Sequence, residues 1–505
     1  MKMSQARVED SSQVSVKSSK FFTFPYRPCE ILVLFARIPL ILCLITSISL
    51  VLYSSFSTQS RGFRFDLPRL SQTVPPPDRQ PTNISHILFG ISGSAATWHD
   101  RVRYSNLWWE TGRTRGFMWL DEEPREQPNN GSSTHPPRHD NITMPYRVSD
   151  PGWTRFGFSS SRSAVRIARI IWDSFKVKSP NVRWFVMGDD DTVFFTDNLV
   201  SVLAKYDHDQ MWYIGGNSES VEQDVMHAYD MAFGGGGFAV SYPLAERLFN
   251  AIDGCLDRYH YFYGSDQRIW ACASELGVSL TPERGFHQMD IRGDPFGLLA
   301  AHPMAPLVSL HHVEYLDSLF PNLTRISSLK ILMFASRVDP NRILQQSICY
   351  DTKRKWSVSI SWGYTVQIYP FLLSANNLAM PLQTFKTWRS WSDGPFVFNT
   401  RPVSNNPCQH PVVYFLDQAE KVGQTGTRTT YTRSGPKFGK GCHRSEYIEA
   451  MAVEKIVVTS LKMDPDYWHK ATQRQCCEIM DGGSIKDGTM KIRVRKCRVR
   501  DIMAV

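Results

Sequence analysis

The chain has 505 residues, 42% of them apolar and 12% aromatic, which excludes a disordered or fibrous protein and leaves room for two domains or one large one with additions. The formal net charge of +9 would suit an anionic partner, but much of the excess is local: Lys491–Arg500, KIRVRKCRVR, holds six basic residues and no acid. Its alternation of Arg and Val predicts a half-exposed strand, and a charge excess bears on association, not on fold.

In chain order, residues 38–60 carry no formal charge. Their apolar part, 38–56, predicts a transmembrane signal anchor. Lys17, Lys20, Arg27 and Arg37 precede it, which assigns tail 1–37 to the cytosol and everything beyond the anchor to the lumen. The late start and the length argue against a cleaved signal peptide. Residues 57–85 are polar and include Pro75, Pro76 and Pro77, the composition of an extended stem. Sequons at Asn83, Asn130, Asn141 and Asn322, and eight of the ten cysteines, lie beyond the anchor, which fits a secretory protein. Cys255 and Cys272, each flanking a probable helix, are the preferred disulfide; spacing leaves the other six unassigned and offers no paired CxxC for zinc.

Residues 86–325 alternate strand and helix signals. HILFGIS (86–92) and GFMWL (116–120) read as strands on either side of a helix in RVRYSNLWWE. A polar, Pro-rich insertion runs from Asp121 to Pro151. In SSRSAVRIARIIWDSF, Ala164, Ala168, Ile171 and Phe175 make an apolar stripe with Arg162, Arg166 and Arg169 largely off it. RWFVM then reads as a buried strand and NLVSVLAKY as the next helix. The alternation predicts an α/β fold with a mostly parallel sheet covered by helices on both faces.

Asp189, Asp190 and Asp191 stand where the strand RWFVM ends, the place where open α/β sheets bind ligands. Three adjacent carboxylates repel one another and call for a cation; their hard oxygens at short spacing suit Mg²⁺ or Mn²⁺ held jointly with substrate phosphates. The spacing is not that of an EF-hand. The alternative is one helix cap and two solvated acids. MAFGGGGFAVS carries Gly234, Gly235, Gly236 and Gly237 without the ending of a P-loop, and is either a tight turn or a close backbone approach to a ligand. In YGSDQRI, Asp266 is a helix-capping candidate. In SLHH, the alternation of a strand would turn only one of His311 and His312 to a given face. Residues 330–505 hold short β-like runs and tryptophan-rich stretches, WSVSISWGYTVQIYPF and TFKTWRSW, and read as a mainly β accessory domain.

The ordered set WFVMGDDDTVFF, GGGGFAVS, YGSDQRI and SLHH resembles the Fringe-related β-1,3-glycosyltransferases, glycosyltransferase family 31, and within them the plant subgroup with a C-terminal region of unassigned function. The resemblance covers residues 83–325 strongly and the remainder loosely. It implies a GT-A fold over 86–325, a UDP-sugar donor, a divalent metal (Mn²⁺, or Mg²⁺), inversion at the anomeric carbon and a type II protein of the Golgi membrane. Carried over residue by residue, it implies Asp191 and one of His311 and His312 (His311 preferred) as metal ligands, and Asp189 and Asp190 near the ribose and donor sugar. It further implies Gly235, Gly236, Gly237 and Phe238 as the loop shaping the pocket, Asp121 near the nucleoside, and Asp266 as general base, with Asp294 of GDPF as the next candidate. The acceptor would be a glycan or glycoprotein, the linkage β-1,3. Two other classes compete: an inactive glycan-binding protein of the same fold, which the intact acidic and histidine motifs oppose, and a nucleic-acid binder, which the anchor and sequons oppose.

Overall fold

Short runs, mostly apolar, build the central sheet. β1 (Ile87–Ser92), β2 (Gly116–Leu120) and β3 (Tyr146–Val148) are followed by β4 (Trp184–Asp189) and β5 (Val193–Phe194), then by β6 (Tyr213–Gly215), β7 (Phe238–Ser241) and β8 (Leu280–Pro282). All but β5 form one seven-stranded sheet in the order β3-β2-β1-β4-β7-β6-β8. β1 and β4 are buried along nearly their whole length, as strands covered on both faces must be. The computed structural model describes residues 44–49, 80–125, 143–158, 161–435, 437, 442–480 and 487–501.

The sheet is mixed where sequence alternation predicts a mostly parallel one. β7 runs antiparallel to both its neighbours, β4 and β6, while the other pairings are parallel. Between β6 and β7 the chain passes through the short helix Val221–Met226 and then the run Gly234–Gly237, which feeds it back beside β6 in the opposite direction. The expected stripe of SSRSAVRIARIIWDSF becomes two helices, Arg162–Ala168 and Ile170–Lys176. Two of its arginines are not on the outside: Arg166 and Arg169 are buried. Arg166 donates to the carbonyls of Trp119 (2.8 Å) and Gly93 (2.7 Å), satisfying backbone groups where β1 and β2 end.

The expected membrane anchor is not recovered. The chain divides into two units, Met1–Arg79 and Gln80–Val505. In the first unit the described part is a helix over 44–49, about 9 Å at the helical rise, against a hydrocarbon core of about 30 Å. Among the described residues no helix is long and apolar enough to cross a membrane, and the rest of 38–56 lies outside them.

A second correction concerns the C-terminal part, expected only as mainly β. β9 (Phe286–His287), β10 (Ile291–Gly293) and β11 (Ser309–Leu310) come first, and β5, β11 and β9 make a small sheet. β12 (Gln346–Asp351), β13 (Trp356–Ser361) and β14 (Thr365–Tyr369) open a closed barrel. An excursion carries β15 (Leu382–Gln383), β16 (Phe385–Thr387) and β17 (Arg401–Pro402), after which β18 (Val412–Val422), β19 (Gly426–Arg433), β20 (Lys455–Leu461), β21 (Gln475–Ile479) and β22 (Thr489–Arg495) complete it. The ring order is β12-β13-β14-β18-β19-β20-β22-β21, and closure leaves no free edge. In β22, Met490, Ile492 and Val494 are buried while Lys491 and Arg493 are exposed, so the basic run is a strand with one wet face.

Barrel and sheet share one hydrophobic core, which includes Phe89, Trp184 and Phe194 on one side and Trp356, Tyr364 and Tyr431 on the other. The Tyr364 hydroxyl donates to Leu319 O (3.0 Å), and Ser361 Oγ to Leu299 O (2.8 Å). β16 pairs antiparallel with β10, so the excursion from the barrel is stitched to the sheet-bearing half.

Four disulfides hold the fold: Cys255–Cys272, the pair favoured from sequence, Cys349–Cys477, Cys408–Cys442 and Cys476–Cys497. Cys349–Cys477 spans 128 residues and ties β12 to β21 at the barrel seam; Cys255–Cys272 spans 17. Loop-closure entropy grows with loop length. The Cys349→Ala/Cys477→Ala variant is therefore expected to lose about 4–5 kcal/mol and the Cys255→Ala/Cys272→Ala variant about 3, in urea unfolding followed by tryptophan fluorescence. A larger loss for the shorter loop contradicts the role given to the seam.

Candidate active site

Carboxylates at the end of a buried strand must find positive charge or lose their own. β4 delivers Asp189, Asp190 and Asp191 beside the ends of β1 and of β11. The turn is pinned from within: Thr192 Oγ1 accepts from Asp189 N–H (2.8 Å) and donates to Gly235 O (2.7 Å), and Trp108 Nε1 donates to Thr192 O (3.0 Å). The triplet and the glycine run are thus one hydrogen-bonded unit.

Each carboxylate has its own environment. Asp191 is 2% exposed and its Oδ1 lies 3.1 Å from His311 Nε2, with Arg101 at 3.5 Å. Burial works to raise its pKa, but His311, then Arg101 and His312, outweigh it and hold the carboxyl well below its ordinary range. Asp190 meets Arg101 at 2.7 Å and accepts from Thr97 Oγ1. Burial nevertheless pushes it up to about 6, against the pull of Arg101. Asp189 accepts from Ser92 Oγ and lies 3.7 Å from His311; burial raises it, His311 opposes, and Asp191 and Asp266 add repulsion. Arg101 also reaches Glu314 at 2.5 Å.

His311 and His312 are not alternating strand residues. β11 ends at Leu310, and His312 takes a left-handed conformation, φ 62°, so the two rings stack 3.8 Å apart instead of facing opposite sides. They still have different partners. His311 faces Asp189 and Asp191; His312 Nδ1 donates to Asp290 Oδ1 (2.9 Å) and its ring stacks on Trp388 of the barrel excursion, ring centres 4.6 Å apart and planes 3° apart. Burial would lower the pKa of His311, but Asp191, with Asp189 and Asp290 behind it, raises it to about 9.

The glycines make this contact possible. A Cβ on Gly235 would sit 2.0 Å from His311 Cε1, and Gly237 has φ +83°, so any larger residue at these positions displaces the imidazole or strains the turn. Gly236 N–H donates to Gln288 Oε1 (2.6 Å). Gly234 N–H donates to Asp266 Oδ2 (3.0 Å), and Ser265 Oγ to Oδ1 (2.7 Å).

Asp266 is on the first turn of the helix Ser265–Glu275 but does not cap it: Gly264 is the N-cap, and Gln267 Oε1 accepts from Gly264 N–H (3.2 Å) and Tyr263 N–H (3.1 Å). With Asp189, Ser92 and Gly234, Asp266 lines one pocket at the ends of β1 and β4. The other sequence candidates fall differently. Asp121 closes the loop after β1, accepting from Ala95 N–H (2.8 Å) and Ser94 Oγ (3.2 Å). Asp294 pairs with Lys437 (2.8 Å) and accepts from Phe296 N–H (3.1 Å), with no contact to this pocket. Arg101, Ser92, Thr192 and Glu314 were not singled out from sequence; the one signal was the charge of the triplet, which demands a cation without naming it.

Two carboxylates and an imidazole are the donor types that a manganese or magnesium ion takes from protein. Asp191 Oδ1 is held only by the ion pairs to His311 and Arg101, and His311 Nδ1 is buried without a hydrogen-bond partner, so the residues fit. They are not a finished cage: among the described residues no three His, Cys, Asp or Glu side chains are grouped to hold a metal. His311 stands as an ion-pair partner, and a metal there must replace its proton.

A family profile described as "Protein of unknown function, DUF604" matches residues 223–477, just over half of the chain. The chain belongs to this family. The DUF604 match begins in the helix Val221–Met226 and ends in β21, so it holds the glycine run, Asp266, both histidines and most of the barrel, and starts after the acidic triplet. No curated protein matches the chain.

The raised pKa of His311 carries a sign that can be tested. Its imidazolium stabilises the fold fully below the unfolded value of about 6.5, and the contribution is lost as pH rises toward the folded value of about 9. Relative to His311→Gln, the metal-free protein is expected to lose up to roughly 3 kcal/mol between pH 6.5 and 9 in urea titrations. Parallel pH profiles for the two proteins contradict the buried Asp191–His311 pair.

Proposed function

We propose that the protein is a metal-dependent glycosyltransferase that moves a hexose or N-acetylhexosamine from a UDP-sugar to a hydroxyl of a glycan or glycoprotein, with inversion and a β-1,3 linkage, as its resemblance to the Fringe-related enzymes implies. The observation that carries this reading is the pairing of roles in one pocket. Asp189 and Asp266 line it together, and the Asp191–His311 pair stands beside Asp189.

Asp191, His311 and, from its part-exposed position, Asp189 would hold the metal, which when bound supplies positive charge to a diphosphate leaving group. Asp190 is committed to Arg101, so it orients the turn and keeps a cation at its rim. Asp266 takes the proton of the acceptor hydroxyl as the acceptor oxygen bonds to the anomeric carbon and the bond from that carbon to the diphosphate oxygen breaks. Its two hydrogen bonds, from Gly234 N–H and Ser265 Oγ, hold the carboxylate in place for that transfer, and a base worth about 10²–10⁴-fold needs such positioning. A single displacement leaves no covalent intermediate, so one carboxylate suffices. The four disulfides are in keeping with an oxidising compartment such as the Golgi lumen.

Two substitutions separate the roles. Asp191→Asn nearly keeps shape but removes a charged donor, and is expected to abolish Mn²⁺-dependent binding of UDP in calorimetric titration. Asp266→Asn is expected to leave Mn²⁺ and UDP binding and the melting temperature near wild type while lowering kcat about 10²-fold or more, scored by UDP release with a panel of UDP-sugars. Transfer by Asp266→Asn at the parental rate, or equal UDP affinity in Asp191→Asn, overturns the assignment.

A further inference from the structure

The basic run that ends the chain borders a cavity remote in sequence from the acidic triplet. About 800 Å³ in volume, it lies along the ends of β20, β21 and β22 and the segment joining the first two. Its walls carry Arg342, Lys462, Lys470, Arg474, Arg493, Arg495 and Lys496 against one acid, Asp464, with Arg342 paired to Asp339 behind the wall. Some of this charge is already matched: Arg495 pairs with Glu478 and Asp501, and Arg493 lies 3.6 Å from Glu478. Among the described residues Lys462, Arg474 and Lys496 have no ion-pair partner, and Lys470 is 3.9 Å from Asp464.

Arg474 is the least expected of these. Its guanidinium is half-buried with no hydrogen-bond partner among the described residues, and burial pulls it below the ordinary arginine value. The Tyr350 phenol interacts with it, and the Tyr350 hydroxyl is itself buried and unpartnered. A half-buried cation without a partner beside an unsatisfied hydroxyl costs stability, which an arriving oxyanion would relieve. Arg474 also stands where the large cavity meets a second one of about 160 Å³, lined by Gln345, Gln346 and His302. The two cavities share Met463, Tyr467, Gln473, Arg474 and Gln475, so they form one elongated cleft.

The lining narrows the class of occupant. The Gln345 and Gln346 amide N–H groups are already spent on Ala305 O and Leu378 O, which leaves the exposed Gln473 amide to donate to and accept from the hydroxyls of a sugar, while the unpaired cations match carboxylate or sulfate groups. An elongated cleft suits several linked residues. We propose that the barrel binds an acidic oligosaccharide in this cleft, with Arg474 pairing an anionic group at its centre and Lys462, Lys470 and Lys496 along its length. This site is independent of the acidic triplet and of transfer, and its occupant need not be the acceptor.

The test is calorimetric titration of the full chain with tetragalacturonate, a sulfated heparin tetrasaccharide, neutral cellotetraose and a ten-residue oligothymidylate. Tetragalacturonate or the heparin tetrasaccharide is expected to bind, the preferred one telling carboxylate from sulfate, with affinity falling as salt rises. Arg474→Gln is expected to weaken that binding tenfold or more. Lys496→Gln, at an exposed position where folding is not at risk, is expected to weaken it about threefold. Asp191→Asn should bind as wild type does, which separates this site from the transferase reading. Binding of cellotetraose or the oligothymidylate at equal affinity, no binding of either acidic sugar, or full binding by both Arg474→Gln and Lys496→Gln overturns the proposal.

Discussion

Three adjacent carboxylates at the end of a buried strand are the constraint from which the site follows. Left alone they would repel one another in a poorly solvated place and take up protons. The fold answers with two cations of different character. Arg101, a fixed charge on the helix after β1, takes Asp190 and also reaches Asp191. His311, a charge that can leave, takes Asp191 and lies near Asp189. A permanent guanidinium would hold the turn equally well but could not give way to a metal. An imidazole can, because removing its proton turns a partner of Asp191 into a ligand beside it.

Getting an imidazole that deep requires space, and Gly235 provides it. The glycine run also carries Gly234, whose N–H fixes Asp266, and Gly236, whose N–H is fixed by Gln288. One turn therefore sets the relation between the metal-binding candidates and the proposed base. The barrel belongs to the same arrangement. Its excursion pairs β16 with β10 and lays Trp388 on the ring of His312, which backs His311. The barrel is a buttress of the site as well as a body of its own, and the DUF604 match, which runs through both, follows that unit.

Much of the sheet could be read from sequence because fully buried strands leave continuous apolar runs. ILFGIS and GFMWL are β1 and β2, and WFVM opens β4. The reversal of β7 was not legible, since four glycines between apolar segments specify a turn but not the direction in which the chain re-enters the sheet. Closure of the barrel was equally hidden: alternation marks the strands of Lys455–Leu461 and Thr489–Arg495, while which strand meets which depends on pairs far apart in the chain, such as Ser347 with Gln475. Asp189 and Asp191 stand out as adjacent carboxylates at a strand end, whereas Asp266 and His311 are assigned roles only through the resemblance to the Fringe-related enzymes. Arg101 does not stand out, because an arginine on an amphipathic helix looks the same whether it faces water or a carboxylate. Asp121 shows a structural use that sequence does not reveal. An acid near a strand end can serve the local turn, and here its carboxylate receives Ala95 and Ser94.

In the proposed function, His311 would exchange its pairing with Asp191 for coordination of a metal shared with a nucleotide diphosphate. Pulsed electron paramagnetic resonance of Mn²⁺ bound with UDP reads this directly, through the magnetic coupling of a ligating nitrogen in protein labelled with ¹⁵N-histidine. The account predicts a single histidine coupling that is absent in His311→Gln and retained in His312→Gln. A bound Mn²⁺ with no nitrogen coupling, or with a coupling that survives His311→Gln, contradicts it.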